Sequence, residues 1–490
     1  MDEVLTALTS FIAEGAQEGK QSAKELLSAL FSSRYYKRDE SKTAIRDVLK
    51  QGSIDEGGQY IPFAGLIHPD SPPSGPYGGM SLVWFPVKDK GSLLTFVVGT
   101  RGISSDVGIL TRPGHRRRIA ALRRMLAKQG VKVWSKPEPA NVGVSLPKDA
   151  SDQFSDFRKA IERYGEWIYC MALVSNDNKV EINQTIVRSF FDLYSYERGW
   201  DILTAQKEER DNLLGELRMD LFEIVTATEV NNLLKSRHFV ILQGPPGTGK
   251  TRLAALVKKE FFNDNGMIIQ FHPSITYEDF VIGLSPDTSQ GGSLHFKVTP
   301  GWLYHACQAS IDKPFLLVID EINRADLGKI LGEAIYLFEP GENRTINLSH
   351  TINGDSKLSM PPNLYVLGTM NTADRSIANV DIAIRRRFSF MTMMPDRKVV
   401  TDQGVELALA TIFYDRIIDM FVEHAPNDAL NLMPGHSYFL AKDKEELKKR
   451  FRYELLPLLD EYIREGYMGP ATTELSSIRN SLEDLVRWPL

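Results

Sequence analysis

Cys170 and Cys307 are the only cysteines in 490 residues. Two are too few for a disulfide framework or a cysteine-built metal site, and they fit a reducing compartment. Long apolar runs are missing too. Nowhere do about 18 apolar residues follow one another, so no membrane-spanning helix is expected. The opening residues, Met1 to Gly15, carry early acids and lack the basic start and apolar core of an export signal, so a cytoplasmic location is expected. There is no excess of basic charge. With 58 Lys and Arg against 63 Asp and Glu the net charge is −5, so any contact with nucleic acid has to be local. No internal repeat, low-complexity tract or acid-spaced nuclease core with a Gln-x-Lys pattern is visible. Cleavage of a nucleic-acid backbone is therefore not expected of this chain itself.

What is present is an ordinary globular composition, 42% hydrophobic and 25% charged. The length exceeds one hydrophobic core, so several domains are expected. Residues 1–195 read as an α+β domain. Helical spacing (Val4, Leu5, Leu8, Phe11, Ile12) gives way to Ser81–Val87 and Ser92–Thr100, rich in β-branched and aromatic residues around Lys88-Asp89-Lys90-Gly91, a β-hairpin pattern. Residues 196–235 read as a helical connector, 236–395 as an α/β module and 396–490 as a small helical domain.

The α/β module carries the chemistry. His238–Gln243 (HFVILQ) is a short apolar strand. It runs into Gly244, Pro245, Pro246, Gly247, Thr248, Gly249, Lys250 and Thr251, followed by helical RLAALVKKEFF. This is the P-loop pattern in its strand–loop–helix context. The glycines let main-chain N–H groups turn toward phosphates at a helix N-terminus. Lys250 is then expected on the β- and γ-phosphates and Thr251 on Mg²⁺. A second apolar strand, Phe315–Ile319, ends in Asp320-Glu321. Two carboxylates at the C-terminal edge of a parallel sheet suit a metal-holding Asp320 and a general base, Glu321. A third strand, Asn363–Met370, delivers Asn371 to the same edge, where its amide can orient the attacking water. Downstream, Arg385, Arg386 and Arg387 end a short helix. They read either as a solvated cluster or as guanidiniums reaching a neighbouring subunit's phosphates, which implies a ring.

Five segments together resemble the McrB family of AAA+ motors of modification-dependent restriction systems: Phe271–Gly283, Asp320–Asp326 (DEINRAD), Met370–Ser376 (MNTADRS), Arg385–Phe388 and Gly435–Phe439 (GHSYF). The resemblance covers about Phe239 to Phe439. It implies an AAA+ P-loop NTPase fold, a parallel sheet flanked by helices with a C-terminal helical lid. It also implies a hexameric ring with GTP or ATP as substrate and Mg²⁺ as cofactor, GTP favoured because Met-Asn-Thr-Ala-Asp accompanies GTP use in the family. A McrC-like nuclease subunit in trans and DNA recognised through residues 1–195 follow as partners. Asn371 becomes the water-positioning sensor, Asp374 part of the nucleotide signature, and Arg386 and Arg387 the contacts across the subunit interface. A competing reading is a MoxR-like AAA+ chaperone that remodels protein clients.

Three features stay open at the level of sequence. Thr111–Trp134 holds Arg112, Arg116, Arg117, Arg118, Arg123, Arg124, Lys128 and Lys132 with no acid. It reads either as a helix tracking a phosphate backbone or as one whose charges are solvated or meet acids elsewhere. Trp84, Phe85 and Phe96 read as core or as a cradle for a flipped base. Gly292–Gly301 and Thr345–Leu358 read as hairpin insertions facing a pore or a partner.

Overall fold

A computed structural model describes residues 2–31, 44–50, 61–72, 76–200, 207–287, 295–339, 344–352, 354–373, 382–403 and 408–487. They form two compact units, Met1–Leu221 and Phe222–Leu490. The division falls inside the segment 196–235: helix Lys207–Leu221 is in the first unit and helix Ala227–Arg237 in the second. Among the described residues no helix is long and apolar enough to cross a membrane.

The first unit is built on one antiparallel sheet. Its strands are β1 (Ile45–Asp47), β2 (Ala64–Leu66), β3 (Met80–Val87), β4 (Gly91–Val98), β5 (Val133–Ser135) and β6 (Ile168–Val174), in the order β1-β2-β3-β4-β6-β5. The expected hairpin is β3–β4, and its turn needs left-handed backbone at Asp89 (φ 59°) and Gly91 (φ 89°). β3 and β4 are buried along nearly their whole length because both sheet faces are covered. Side chains alternate between faces, so Val83, Phe85, Leu93 and Val97 meet Phe154, Phe157 and Ala160. Phe96, on the other face, stacks on Phe190 and Tyr169. Trp84, Phe85 and Phe96 are each at most 3% exposed. They are core residues and offer no cradle for a flipped base.

The basic segment forms helix Pro113–Lys128, with proline at its first turn and Ile119, Leu122 and Leu126 buried. Its charges are answered from elsewhere in the unit. Arg112 and Arg118 face Glu197, Arg116 faces Glu138, Arg124 faces Asp220, and Lys128 faces Glu216. Five of its eight basic residues thus have acidic partners in the same unit, and Arg117 is buried. The phosphate-tracking reading of this helix is corrected: the carboxylates that neutralise it come from helices 180–197 and 207–221 and from the segment after β5.

Glu197 is the centre of that network. It takes His115 Nδ1 at 2.9 Å and Arg118 Nη2 at 2.7 Å, with its side chain fully enclosed. Burial alone would raise its pKa. The His115 and Arg118 charges and hydrogen bonds outweigh burial and hold it down at about 2. A carboxyl depressed in the folded state stabilises above its ordinary pKa, and that contribution is lost as pH falls toward 2. Glu197→Gln should therefore cost about 3 kcal/mol or more, because it strands buried cations. Urea unfolding at pH 7 checks this, and the gap between variant and wild type should close in acid. A pH-independent gap would mean packing, not charge, is what the substitution removes.

The second unit has a five-stranded parallel sheet of β7 (Phe239–Gly244), β8 (Gly266–Gln270), β11 (Phe315–Asp320), β14 (Leu364–Asn371) and β15 (Ser389–Thr392). Its order is β15-β7-β14-β11-β8. The strands are near-continuous apolar runs because helices cover the sheet. Val240, Leu242, Val318 and Leu367 pack with Ala254 and Val257 of helix Lys250–Phe262, while Ile241, Leu317 and Val366 pack with Leu303, Leu337 and Phe338. Two hairpins stand outside this sheet. β9 (Ile282–Asp287) pairs with β10 (His295–Pro300), and β12 (Thr345–Ile352) with β13 (Asp355–Ser359). The first begins ten residues before the expected Gly292, because its opening strand comes from the end of the Phe271–Gly283 motif. Helices 408–424, 444–450, 456–464 and 472–487 complete the C-terminal part.

Candidate active site

Strand order explains why three distant segments meet. β14 lies between β7 and β11, with Asn371 in register with Gly244 and Gly368 with Ile319. The C-terminal ends of all three strands therefore share one sheet edge, where ligands of open parallel sheets bind.

β7 leads into the P-loop, whose bends require glycine: Gly247 and Gly249 have φ of 77° and 81°. Gly249 caps helix Lys250–Phe262, so the unpaired N–H groups of its first turn open toward the loop. Lys250 is 6% exposed. Its Nζ donates to Gly244 O at 3.0 Å and Pro245 O at 2.7 Å. Burial lowers its pKa to about 8, against the pull of Glu321 and Asp320. The ammonium is held in the loop by main-chain carbonyls.

β11 ends on Asp320, whose Oδ1 accepts from Thr251 Oγ1 at 2.7 Å and from Thr369 Oγ1 at 2.6 Å. The set fits Mg²⁺: its donors are hard oxygens, and this ion takes one or two protein ligands and completes its shell with phosphate and water. Among the described residues no cluster of three His, Cys, Asp or Glu side chains offers an alternative metal cage.

Glu321 leaves the strand direction altogether, at φ 55° and ψ 46°. A non-glycine residue in this left-handed region is strained by about 1 kcal/mol or more, and such strain gathers at functional sites. The bend turns the carboxylate toward β14. Oε1 accepts from Asn371 Nδ2 at 2.5 Å, and Oε2 lies 3.4 Å from Arg324 Nε. Burial raises the Glu321 pKa, opposed by Arg324, supported by Asp320 and opposed again by Lys250. A carboxylate made more basic by its surroundings suits proton abstraction from water.

Thr369 was missing from the sequence reading. It is 2% exposed, and one hydroxyl donates to Asp320 while accepting the Glu321 N–H at 3.1 Å. It thereby ties both acids to the sensor strand. The available signal was its spacing: residues 369 and 371 share one face of a strand.

The arginines lie elsewhere. Arg385 stands over the Phe390 ring at 5.4 Å. Arg386 Nη2 donates to Glu339 Oε1 at 2.8 Å with its side chain 63% exposed, whereas Arg387, 8% exposed, pairs with the same carboxylate. Asp374 lies outside the described residues. Within this unit, the segment Gly435–Phe439 bonds to the P-loop through Gly435 and Ser437.

A parallel sheet with a P-loop, an Asp-Glu strand end, an Asn-bearing sensor strand and a helical lid defines an AAA+ nucleoside-triphosphatase. Residues 239–388 match the AAA domain of the dynein-related subfamily, and residues 427–469 match the α-helical lid domain of McrB. The EcoKMcrB subunit of a type IV methyl-directed restriction enzyme, from Escherichia coli strain K12, is 30% identical over 350 residues, 65% of this chain and 75% of that protein. The chain belongs to the McrB family. A second relative is component YdiS of the type II restriction enzyme BsuMI, from Bacillus subtilis strain 168. It is 25% identical over 189 residues, and the match covers 31% of this chain and 55% of that protein.

Proposed function

We propose that this chain is the GTP-driven motor of a DNA restriction complex, working as a hexameric ring that regulates a McrC-like nuclease supplied in trans. The observation that carries the reading is the network at the sheet edge, Thr251–Asp320–Thr369 beside Glu321–Asn371, on a chain whose relatives are named as restriction-enzyme components. Lys250 and the P-loop N–H groups bind the triphosphate. Thr251 and Asp320 would hold Mg²⁺, which would supply charge neutralisation for the phosphates when bound. Asn371 and Glu321 orient a water, and Glu321 takes its proton.

The target is assigned to the N-terminal unit, and its DNA contacts are expected away from Arg116, Arg118, Arg124 and Lys128 of helix 113–128, which face acids of the same unit. Phosphate release with GTP and ATP, each with and without DNA, tests the reading. GTP-dominated turnover stimulated by DNA is expected. ATP-dominated turnover would sink the base assignment, and stimulation by protein clients alone would favour the chaperone.

Arg386 is the residue proposed to reach the neighbour's phosphates, because it is the exposed member of the pair on Glu339. Arg386→Ala should cut turnover by about 10³-fold, the scale of an arginine finger, with nucleotide affinity retained. Mixed rings of Arg386→Ala and Lys250→Ala subunits check the trans geometry. Arg387→Ala should instead lower the melting temperature, since Arg387 is the buried member of the cluster, 8% exposed, and its removal leaves half-buried Glu339 with the exposed Arg386.

A further inference from the structure

Two hydroxyls converge on one carboxylate oxygen. Asp320 Oδ1 accepts from Thr251 Oγ1 at 2.7 Å and from Thr369 Oγ1 at 2.6 Å. An ionised carboxylate can only accept, so both hydroxyl protons are committed to Asp320. The lone pairs of Thr251 stay available to a cation. So does Asp320 Oδ2, which takes no hydrogen bond from the described residues.

With its proton on Asp320, the Thr369 oxygen accepts the Glu321 N–H at 3.1 Å. That N–H belongs to the residue at φ 55° and ψ 46°, a conformation that persists only where its surroundings hold it. The bond is one such restraint, and it sits one residue from the carboxylate it shares with Thr251. Thr369 is 2% exposed, so solvent does not stand in for either bond. Its β-branched side chain has few χ1 rotamers, which fixes the direction of the hydroxyl from the strand. Packing does not call for that hydroxyl. Leu242, 0% exposed, lies opposite Thr369 in β7, and Leu367 and Met370 beside it in β14 are buried and apolar.

We propose that Thr369 is a positioning residue for hydrolysis, its one hydroxyl setting the Asp320 carboxylate for the metal ion and the Glu321 backbone for the attacking water. This rests on Asp320 and Glu321 having the roles given to them above. Retention of the cation and placement of the base then depend on the same side chain, and removing the hydroxyl disturbs both at once.

The test is titration of the full chain with Mn²⁺, a paramagnetic stand-in for Mg²⁺, at saturating GDP, with ADP in its place if the wild type prefers adenine. Thr369→Val keeps the shape and suits a buried strand, but it can neither donate nor accept. Hydrogen-bond partners of a metal-ligating carboxylate are worth about 10- to 100-fold in metal affinity or activity. Mn²⁺ should therefore bind about tenfold more weakly to Thr369→Val, while GDP binding in EDTA stays at the wild-type value. Single-turnover phosphate release at saturating metal should fall as well, by about tenfold or more, because Glu321 has lost its restraint. Thr369→Ser should recover most of both losses, which a packing defect would not allow. Wild-type Mn²⁺ affinity in Thr369→Val overturns the proposal. So does a wild-type single-turnover rate at saturating metal, a serine variant no better than valine, or an equal loss of GDP binding in EDTA, the mark of a collapsed loop. Asp320→Asn separates the two levels. If it holds Mn²⁺ like the wild type, the metal-site reading has failed; if it loses the ion while Thr369→Val does not, only the Thr369 assignment has. Should Thr369→Val not fold, Thr369→Cys puts a weak donor and acceptor in the same place. The same two losses are then expected at smaller size, and a wild-type value of either overturns the proposal.

Discussion

Glu321→Gln is expected to bind nucleotide as tightly as the wild type, or more tightly, while turnover falls by about 10³-fold, the scale of a lost general base. The structure separates the two effects. Glu321 does not touch the P-loop main chain that cradles phosphate. Its contacts are the Asn371 amide at 2.5 Å and Arg324 at 3.4 Å, and a glutamine oxygen still accepts from Asn371. The left-handed backbone at Glu321 is held by its own N–H on Thr369, which the substitution leaves alone. Removing one negative charge near Lys250 relieves repulsion with the triphosphate, which is why affinity should hold or rise. Single-turnover phosphate release, set beside equilibrium binding, checks the prediction. Turnover within a few-fold of the wild type would remove Glu321 from the role of base and leave water positioning to Asn371.

The meeting of these residues at one sheet edge was largely readable from the sequence, for a physical reason. The P-loop, the Asp-Glu strand end and Asn371 are each contiguous with an apolar strand. A parallel sheet brings the ends of such strands to one edge whatever their separation in the chain. What could not be read was anything that depends on which strand neighbours which. Thr369 bonds Asp320 only because β14 lies beside β11, and residues 49 apart become hydrogen-bond partners. The same limit governs helix 113–128. Its six Lys and Arg residues are visible at once, but Glu197 and Glu216 are 79 to 88 positions away, and nothing local announces that they return to it. Glu339, which collects Arg386 and Arg387, is likewise 47 and 48 residues distant. Ion pairs of long sequence separation are therefore what decided between the two readings the basic segment left open, while the strand–loop–helix geometry around Lys250 was legible from spacing alone.

Lys250→Ala is expected to abolish measurable nucleotide binding, and the setting of Lys250 explains the size of the loss. Its Nζ bridges two main-chain carbonyls, Gly244 O and Pro245 O, at 3.0 and 2.7 Å. Both lie in the loop that must present its N–H groups to phosphate. Alanine removes the cation that neutralises the β- and γ-oxygens and also leaves two buried acceptors without their donor. Truncating one partner of a buried charged contact costs about 3–5 kcal/mol, which corresponds to roughly 10²- to 10⁴-fold in affinity. Lys250→Arg should rescue little, because a planar guanidinium does not fit a site that encloses a 6%-exposed ammonium. Thermal unfolding is the direct check. At nucleotide 100-fold above the wild-type dissociation constant, binding should stabilise the wild type by about 2.7 kcal/mol. The alanine variant should melt at one temperature with or without nucleotide. A nucleotide-dependent rise in the variant close to that of the wild type would place the phosphates somewhere other than this loop. The roles given to Thr251, Asp320 and Glu321 would fall with it, since each is defined by its position relative to a γ-phosphate that Lys250 holds.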